Sequence, residues 1–294
     1  MLDEFTRAQR RRYLGSSDMA AIIGKDPWGR TAGDVFCEKT GRIANIRDTV
    51  PMALGSYLEP AILSWTEDQL ETPLQRDQFV IHAGGILAAN LDALAPHNRP
   101  PAVVEAKSAG LIGRPHYLEE FGTPGTDEVP MHVMIQVQHQ MACLEQQPGI
   151  PPIAHAIVPA LLIGRGFVLY RVEKHQGLVE ALVEEGERFW HDHVEANMPP
   201  REAPSLRTLQ RLLRVTEPSV ALDPELVQNW QYAKENTKLA AEHEEHLLRE
   251  LIAALGDQEV GTCALGTFTY REQTRKAYTV AESRFRVPRF VKAR

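Results

Sequence analysis

The sequence predicts an α/β fold in which helices flank a mixed central sheet, extended by a long C-terminal helix and a β-hairpin. Three observations predict it. Short apolar runs at residues 78–82, 86–94, 102–108, 154–159 and 166–173 are punctuated by Gly and Pro and read as strands. Around them lie segments with helical start and stop signals. Beyond residue 200, apolar residues recur at helical spacing over a stretch too long for a loop.

Each element follows from its residues. Two short helices are expected before Gly41: Ser17 or Asp18 suits the cap of MAAIIG, and Thr31 the cap of AGDVFCEK. A third helical stretch, LGSYLEPAILSWTEDQL, is expected to break near Pro60. The strands QFVIH, ILAANLDAL and AVVEAKS come next. Pro130 suits a first helical turn, which predicts a helix to about Leu144. After AHAIVP and GFVLYRVE, a helix is expected from about Leu178 to Glu195. The breaker MPPREAP (198–204) places a boundary near residue 200, between a core (1–200) and a C-terminal region (201–294).

In that second region Asp223-Pro224-Glu225 starts a helix and Gly256 stops it. Leu226, Trp230, Leu247, Leu248, Leu251, Ile252 and Leu255 supply its apolar positions. At 1.5 Å per residue the span is roughly 50 Å, the length of a projecting or packing arm. EVGTCALGTFTYRE reads as a hairpin ahead of a basic tail.

Composition excludes several classes. With 294 residues, 43% hydrophobic and 24% charged, the chain is long enough to bury its own core. Cys37, Cys143 and Cys263 are odd in number and form no CxxC pair, which argues for a reducing compartment and against a zinc ribbon. No apolar run is long enough to span a membrane, and the charged N-terminus has no secretory h-region. The net charge of -7 excludes a uniform basic coat. From Leu265 to Arg294, however, eight basic residues face two acidic ones. A cationic tail on an acidic body suits a polyanion partner, and a solvated terminal face equally.

One constellation carries chemistry. In a strand, Glu105 and Lys107 share a face about 6.6 Å apart. Asp92 lies on a neighbouring run, and antiparallel pairing brings its carboxylate beside Glu105. Two carboxylates with the Ala106 backbone carbonyl form an oxygen-rich site for a hard cation, Mg²⁺ or Mn²⁺. Lys107 beside them can orient or help deprotonate an attacking water, the D-x(n)-E-x-K logic of phosphodiester hydrolases. Glu-x-Lys also occurs on solvated strand faces. Here the flanking AVV and ILAA make the strands apolar, so charges on them need partners. Glu59 in SYLEP is a possible further ligand from the preceding helix.

Taken in order, Arg12 to Asp18, Pro27-Trp28, Lys39-Thr40-Gly41, Gly55 to Pro60, Asp92, Glu105 to Lys107 and Gln136 to Met141 resemble the YqaJ-type viral recombinase family. That family comprises lambda-exonuclease-like phage alkaline exonucleases of the PD-(D/E)xK superfamily. The resemblance implies a restriction-endonuclease-like core and a Mg²⁺-dependent exonuclease that digests double-stranded DNA from an end, 5′ to 3′. The product is a 3′ single strand for recombination by annealing.

The resemblance also implies roles. Asp92, Glu105 and the Ala106 carbonyl would hold the metal, Lys107 would act on the water, and Glu59 would assist. Gln136 would hold the water or the lysine. Arg12, Ser17 and Arg114 would contact the 5′ phosphate of the DNA end, with the arginine's register open among Arg10, Arg11 and Arg12. Double-stranded DNA ends, a single-strand annealing protein, a ring-shaped homotrimer and the cytoplasm of a bacterial host complete the picture. Two positions depart from the pattern: the usual Pro-Asp-Gly is Leu91-Asp92-Ala93, and the Ser often found before it is Asn90. The rival readings are a related endonuclease of repair or restriction and a DNA-binding recombination scaffold without catalysis.

Other signals are set aside. His191 and His193 point to different helix faces, and His132, His139 and His155 lack partners at ligand spacing. Gly24-Lys25-Asp26 lacks the Ser or Thr of a phosphate loop. In the tail, Tyr278, Phe285 and Phe290 interleave with basic residues, a composition suited to a nucleic-acid strand or to packing.

Overall fold

A computed structural model describes residues 10–43, 50–110, 116–145, 147–212, 219–272 and 274. Arg114 and most of the basic tail lie outside them. The chain forms two compact units, residues 1–213 and 214–294.

The first unit opens with α1 (Ser16–Ile22) and α2 (Ala32–Lys39). Gly15, not Ser17 or Asp18, is the cap position of α1. Asp18 serves it from inside the helix, accepting the Gly15 N–H at 2.8 Å. Thr31 caps α2 as expected: its hydroxyl accepts the Asp34 N–H while the Asp34 carboxylate accepts the Thr31 N–H. The segment 202–205 folds back onto this helix. Ala203 O accepts the Thr31 hydroxyl at 3.0 Å, and Ser205 donates its N–H to Asp34 at 2.8 Å. Gly33 permits the approach, because a Cβ there would meet Glu202 and Pro204 backbone at 2.6 Å.

Helix α3 (Val50–Leu70) runs unbroken through Pro60, against expectation. A proline inside a helix frees the carbonyl four residues before it. Here that residue, Ser56, and Pro60 itself are both exposed, so the freed carbonyl is open to water.

The sheet comprises β1 (Gln75–Ile81), β2 (Ala88–Ala95), β3 (Ala102–Val104), β4 (Lys107–Ala109), β5 (His155–Leu162) and β6 (Gly166–Glu173). β1–β2, β2–β3 and β5–β6 pair antiparallel, whereas β3 and β4 both run parallel along the same side of β5. The single strand expected over 102–108 is therefore two, separated at Glu105-Ala106. Val104 pairs with Ile157 and Lys107 with Ala160, so Pro159 stands opposite Ala106. A proline has no N–H to give a ladder, and the ladder opens where this one sits.

Helix α4 (Met131–Leu144) covers one face of the sheet, with Val133, Val137 and Met141 packed among Leu91, Val103, Ala156 and Val158. On the other face Leu63 of α3 packs with Ala93, Val104 and Ile157. A third cluster joins α1, α2 and α5 (Gln176–Phe189) around Met19, Phe36 and Leu182. Trp190–Glu195 continues α5 as a π-helical turn, and Leu206–Leu209 forms the short α6.

In the second unit α7 (Pro224–Leu255) is capped by Asp223, whose carboxylate accepts the Glu225 N–H at 2.9 Å. Gly256, at φ 59°, ends it. β7 (Val260–Cys263) and β8 (Gly266–Thr269) form the expected hairpin. No described helix is long and apolar enough to cross a membrane.

Candidate active site

The opening in the sheet is where the charged residues gather. β2 and β3 pair Ala93 with Val104, and continuing that register sets Asp92 opposite Glu105. Instead of a ladder bond, the Ala106 N–H donates to the Asp92 carboxylate at 2.8 Å. Glu105 keeps one tie to the sheet, its N–H donating to Ile157 O at 3.1 Å. The Asp92 carboxylate is thus fixed by backbone that the interruption released. On the far side of β2, Asp77 lies opposite Asp92 and adopts φ 55°. Positive φ is uncommon for a non-glycine residue, and such strain gathers at functional sites.

Glu105 is almost fully buried at 2% exposure, and protein donors hold it on both oxygens. Lys107 forms an ion pair with Oε1, and Gln136 donates to the same oxygen at 2.5 Å. Gln140 donates to Oε2 at 2.6 Å. Gln136 in turn accepts a hydrogen bond from Lys107 Nζ at 3.0 Å. Gln136 and Gln140 are one helical turn apart, so both reach from the same face of α4.

Electrostatics tie Glu59 to this group. Enclosure by protein, then the charges of Glu105 and Asp77, push the Glu59 carboxyl above its usual range, with Lys107 opposing. Asp92 is driven well up by enclosure and by Glu105, a rise that Lys107 and the Ala106 N–H resist. Enclosure alone would lower the Lys107 ammonium, but Glu105 and Asp92 outweigh it and hold its pKa above the ordinary value. The five residues expected to do chemistry are therefore connected through Glu105 and Lys107: Gln136 bonds both, and Asp92 and Glu59 feel the charges of both.

Three carboxylates around a single ammonium leave an excess of negative charge, which a hard cation would relieve. Among the described residues no three His, Cys, Asp or Glu side chains form a ready-made metal cage. The donor set that suits the group is Asp92, Glu105 and the Ala106 carbonyl. Mg²⁺ retains several waters and binds through one or two carboxylates, so the fit is chemically sound.

Beside the site lies a pocket of about 320 Å³ that shares Gln136 with it. Arg10, Ser17, Lys39 and Asn90 line its polar part. Asp18 is part of the lining as well, and Tyr13 and Phe79, in edge-on contact at 5.7 Å, add aromatic surface to it. Of the residues expected to bind a 5′ phosphate, Ser17 lines this pocket and Arg12 does not; of the three adjacent arginines, Arg10 is in the lining. Arg114 lies outside the described residues. The wall is braced by buried Asp18, which pairs with Arg30 at 2.6 Å and Lys39 at 2.5 Å. These two cations outweigh the effect of burial and hold the Asp18 carboxyl far below the usual range.

The sequence reading missed Gln140, Asp77, Lys39 and Asn90. The spacing of Gln136 and Gln140 was visible as one helix face. Lys39 stood in a matched motif with no role attached, and Asn90 was noted only as a departure from the usual Ser that put a phosphate contact in question. Asp77 had no local signal.

Residues 7–147 match the family described as the YqaJ-like viral recombinase domain. No curated protein matches the chain. Among solved structures, an alkaline exonuclease from Laribacter hongkongensis is similar at 17% identity, with 67% of this chain and 94% of that one covered and a TM-score of 0.49. A phage related exonuclease from Haemophilus somnus 129PT is similar at 13% identity, covering 65% of this chain and 99% of that one, with a TM-score of 0.44.

Proposed function

From the match of residues 7–147 to the YqaJ-like viral recombinase domain, we propose that the protein is a Mg²⁺-dependent exonuclease. It digests double-stranded DNA from an end, 5′ to 3′, leaving a 3′ strand for recombination by annealing. The observation that carries the reading is the joint hold of Lys107, Gln136 and Gln140 on Glu105, opposite Asp92 and beside a pocket lined by Arg10 and Ser17.

Each residue has a part. Asp92, Glu105 and the Ala106 carbonyl would hold Mg²⁺ or Mn²⁺, which when bound polarises the phosphate and lowers the pKa of water. Lys107 positions the attacking water rather than deprotonating it. Two of its three ammonium protons already go to Glu105 and Gln136, leaving the third for water or a phosphate oxygen. Gln136 keeps the lysine aimed, and Glu59 orients solvent or shares a second ion. Arg10 and Ser17, with Lys39 behind them, receive the 5′ phosphate through charge-assisted hydrogen bonds. A ring-shaped homotrimer, and an annealing protein that takes the released strand, belong to the same proposal.

End-labelled duplex tests the reading. The wild type digests linear 5′-phosphorylated duplex, works more slowly on 5′-hydroxyl ends, spares closed circular duplex and stops in EDTA. Cutting of the circle would favour the endonuclease. Binding of DNA ends with no digestion under any divalent cation would favour the scaffold.

A further inference from the structure

We propose that Trp28 is a nucleobase-stacking subsite beside the catalytic carboxylates, receiving a base of the strand that is cut; this rests on the nuclease reading above. Trp28 is 63% exposed, an unusual position for the largest apolar side chain, and single exposed aromatics by themselves mean little. Three further observations single it out.

The loop that carries it is pinned. Asp26 accepts the N–H of Trp28 at 2.8 Å and that of Arg30 at 3.0 Å. Arg30 then anchors to Asp18 and to the Ser17 carbonyl, next to the proposed phosphate pocket. Trp28 is therefore presented by the same network that braces that pocket.

The ring is propped by tilted and edge-on neighbours while remaining mostly exposed. His132 lies at 5.0 Å and 77°, and Tyr117 at 5.9 Å and 56°. A bond of 3.2 Å joins Tyr117 to His132. Neither ring stacks flat on the indole. Trp65, by contrast, lies flat against Phe167 at 19°, so its face is taken. Of these two, Trp28 has no flat-stacked partner among the described residues.

The props lead to the catalytic group. His132 is one helical turn before Gln136 on α4, hence on the same face. Tyr117 stands within electrostatic reach of Lys107 and Glu105. A base resting on Trp28 would thus neighbour the phosphate addressed by Gln136 and Lys107. Bases inside a duplex have both faces covered, whereas the last base of an end has one face free. Stacking on an aromatic ring is indifferent to sequence, as digestion along arbitrary DNA requires.

The test uses the full chain without divalent cation, reading Kd by fluorescence anisotropy. Duplexes carry an abasic analogue at one position at a time along the 5′ strand. At one of these positions the abasic change weakens wild-type binding about 10-fold, the scale of one base–aromatic stack. Trp28→Ala weakens binding to intact duplex by a similar factor and is then indifferent to the abasic change; Trp28→Phe recovers most of both. Abasic penalties at every position that are equal in wild type and Trp28→Ala, while the wild type still binds and digests duplex, would overturn the subsite alone. A wild type that neither binds nor digests duplex would remove the nuclease reading and the subsite with it.

Discussion

Gln136 and Gln140 grip opposite oxygens of Glu105, the first donating to Oε1 at 2.5 Å and the second to Oε2 at 2.6 Å. A buried carboxylate held from both sides cannot turn, so its remaining lone pairs keep one direction. Gln140 is itself fully buried, and among the described residues its Oε1 has no hydrogen-bond partner. Its amide is therefore committed to Glu105 alone.

Gln140→Leu removes that grip while filling similar space. Loss of a supporting hydrogen bond of this kind costs about 10–100-fold in metal affinity or activity. Titration of Mn²⁺ by calorimetry should show weaker binding in Gln140→Leu, with Gln140→Asn intermediate. Unchanged Mn²⁺ affinity would show that Glu105 orients without it.

Asp92→Asn should stabilise the metal-free protein and abolish digestion. The carboxyl is pushed well up by enclosure and by Glu105, so its charge opposes folding when no cation is present. An asparagine oxygen can still accept the Ala106 N–H. In EDTA the thermal midpoint of the variant should rise by about 2–4 °C, the scale of a gain near 1 kcal/mol. A fall would mean that the charge is already compensated.

Asp18 is predicted to matter for folding. It is buried between Arg30 and Lys39, and Asp18→Ala leaves both cations without their shared partner. Breaking a buried pair in this way costs about 3–5 kcal/mol. Urea unfolding should register the loss as a lower midpoint with an unchanged slope.

Stability should also fall in mild acid. Burial depresses His139 from its usual 6.5 to about 4, outweighing the hydrogen bond that its Nε2 donates to Ala88 O, which by itself favours the charged ring. A depressed folded pKa means the unfolded chain takes up the proton first. The contribution is complete above about pH 6.5 and drains away as the pH drops toward 4, by about 3 kcal/mol. Urea midpoints between pH 7 and 4 should decline more gently in His139→Gln than in the wild type.

The sequence made the catalytic strands readable because their charges interrupt apolar runs: Asp92 in NLDAL and Glu105 with Lys107 in VVEAKS. Period-two alternation cannot show that Pro159, more than fifty residues away, opens the ladder at Glu105-Ala106, since strand pairing is a tertiary fact. The unbroken α3 escaped for a related reason: Pro60 is tolerated because Ser56 faces solvent, and exposure is not written in the local pattern. The cap of α1 went astray because Asp18 acts from within the helix, drawn there by Arg30 and Lys39. Helix α7 was legible from its Asp223 cap, Gly256 stop and apolar spacing, all of which are local.

Divalent-cation binding and duplex digestion measured together on wild type, Asp92→Asn and Glu105→Gln put the central claim to its most direct test. The account predicts that the wild type takes up Mn²⁺ and degrades 5′-phosphorylated duplex, and that each variant loses both properties while remaining folded by circular dichroism. Undiminished digestion by Glu105→Gln, or by the wild type in EDTA, would contradict it.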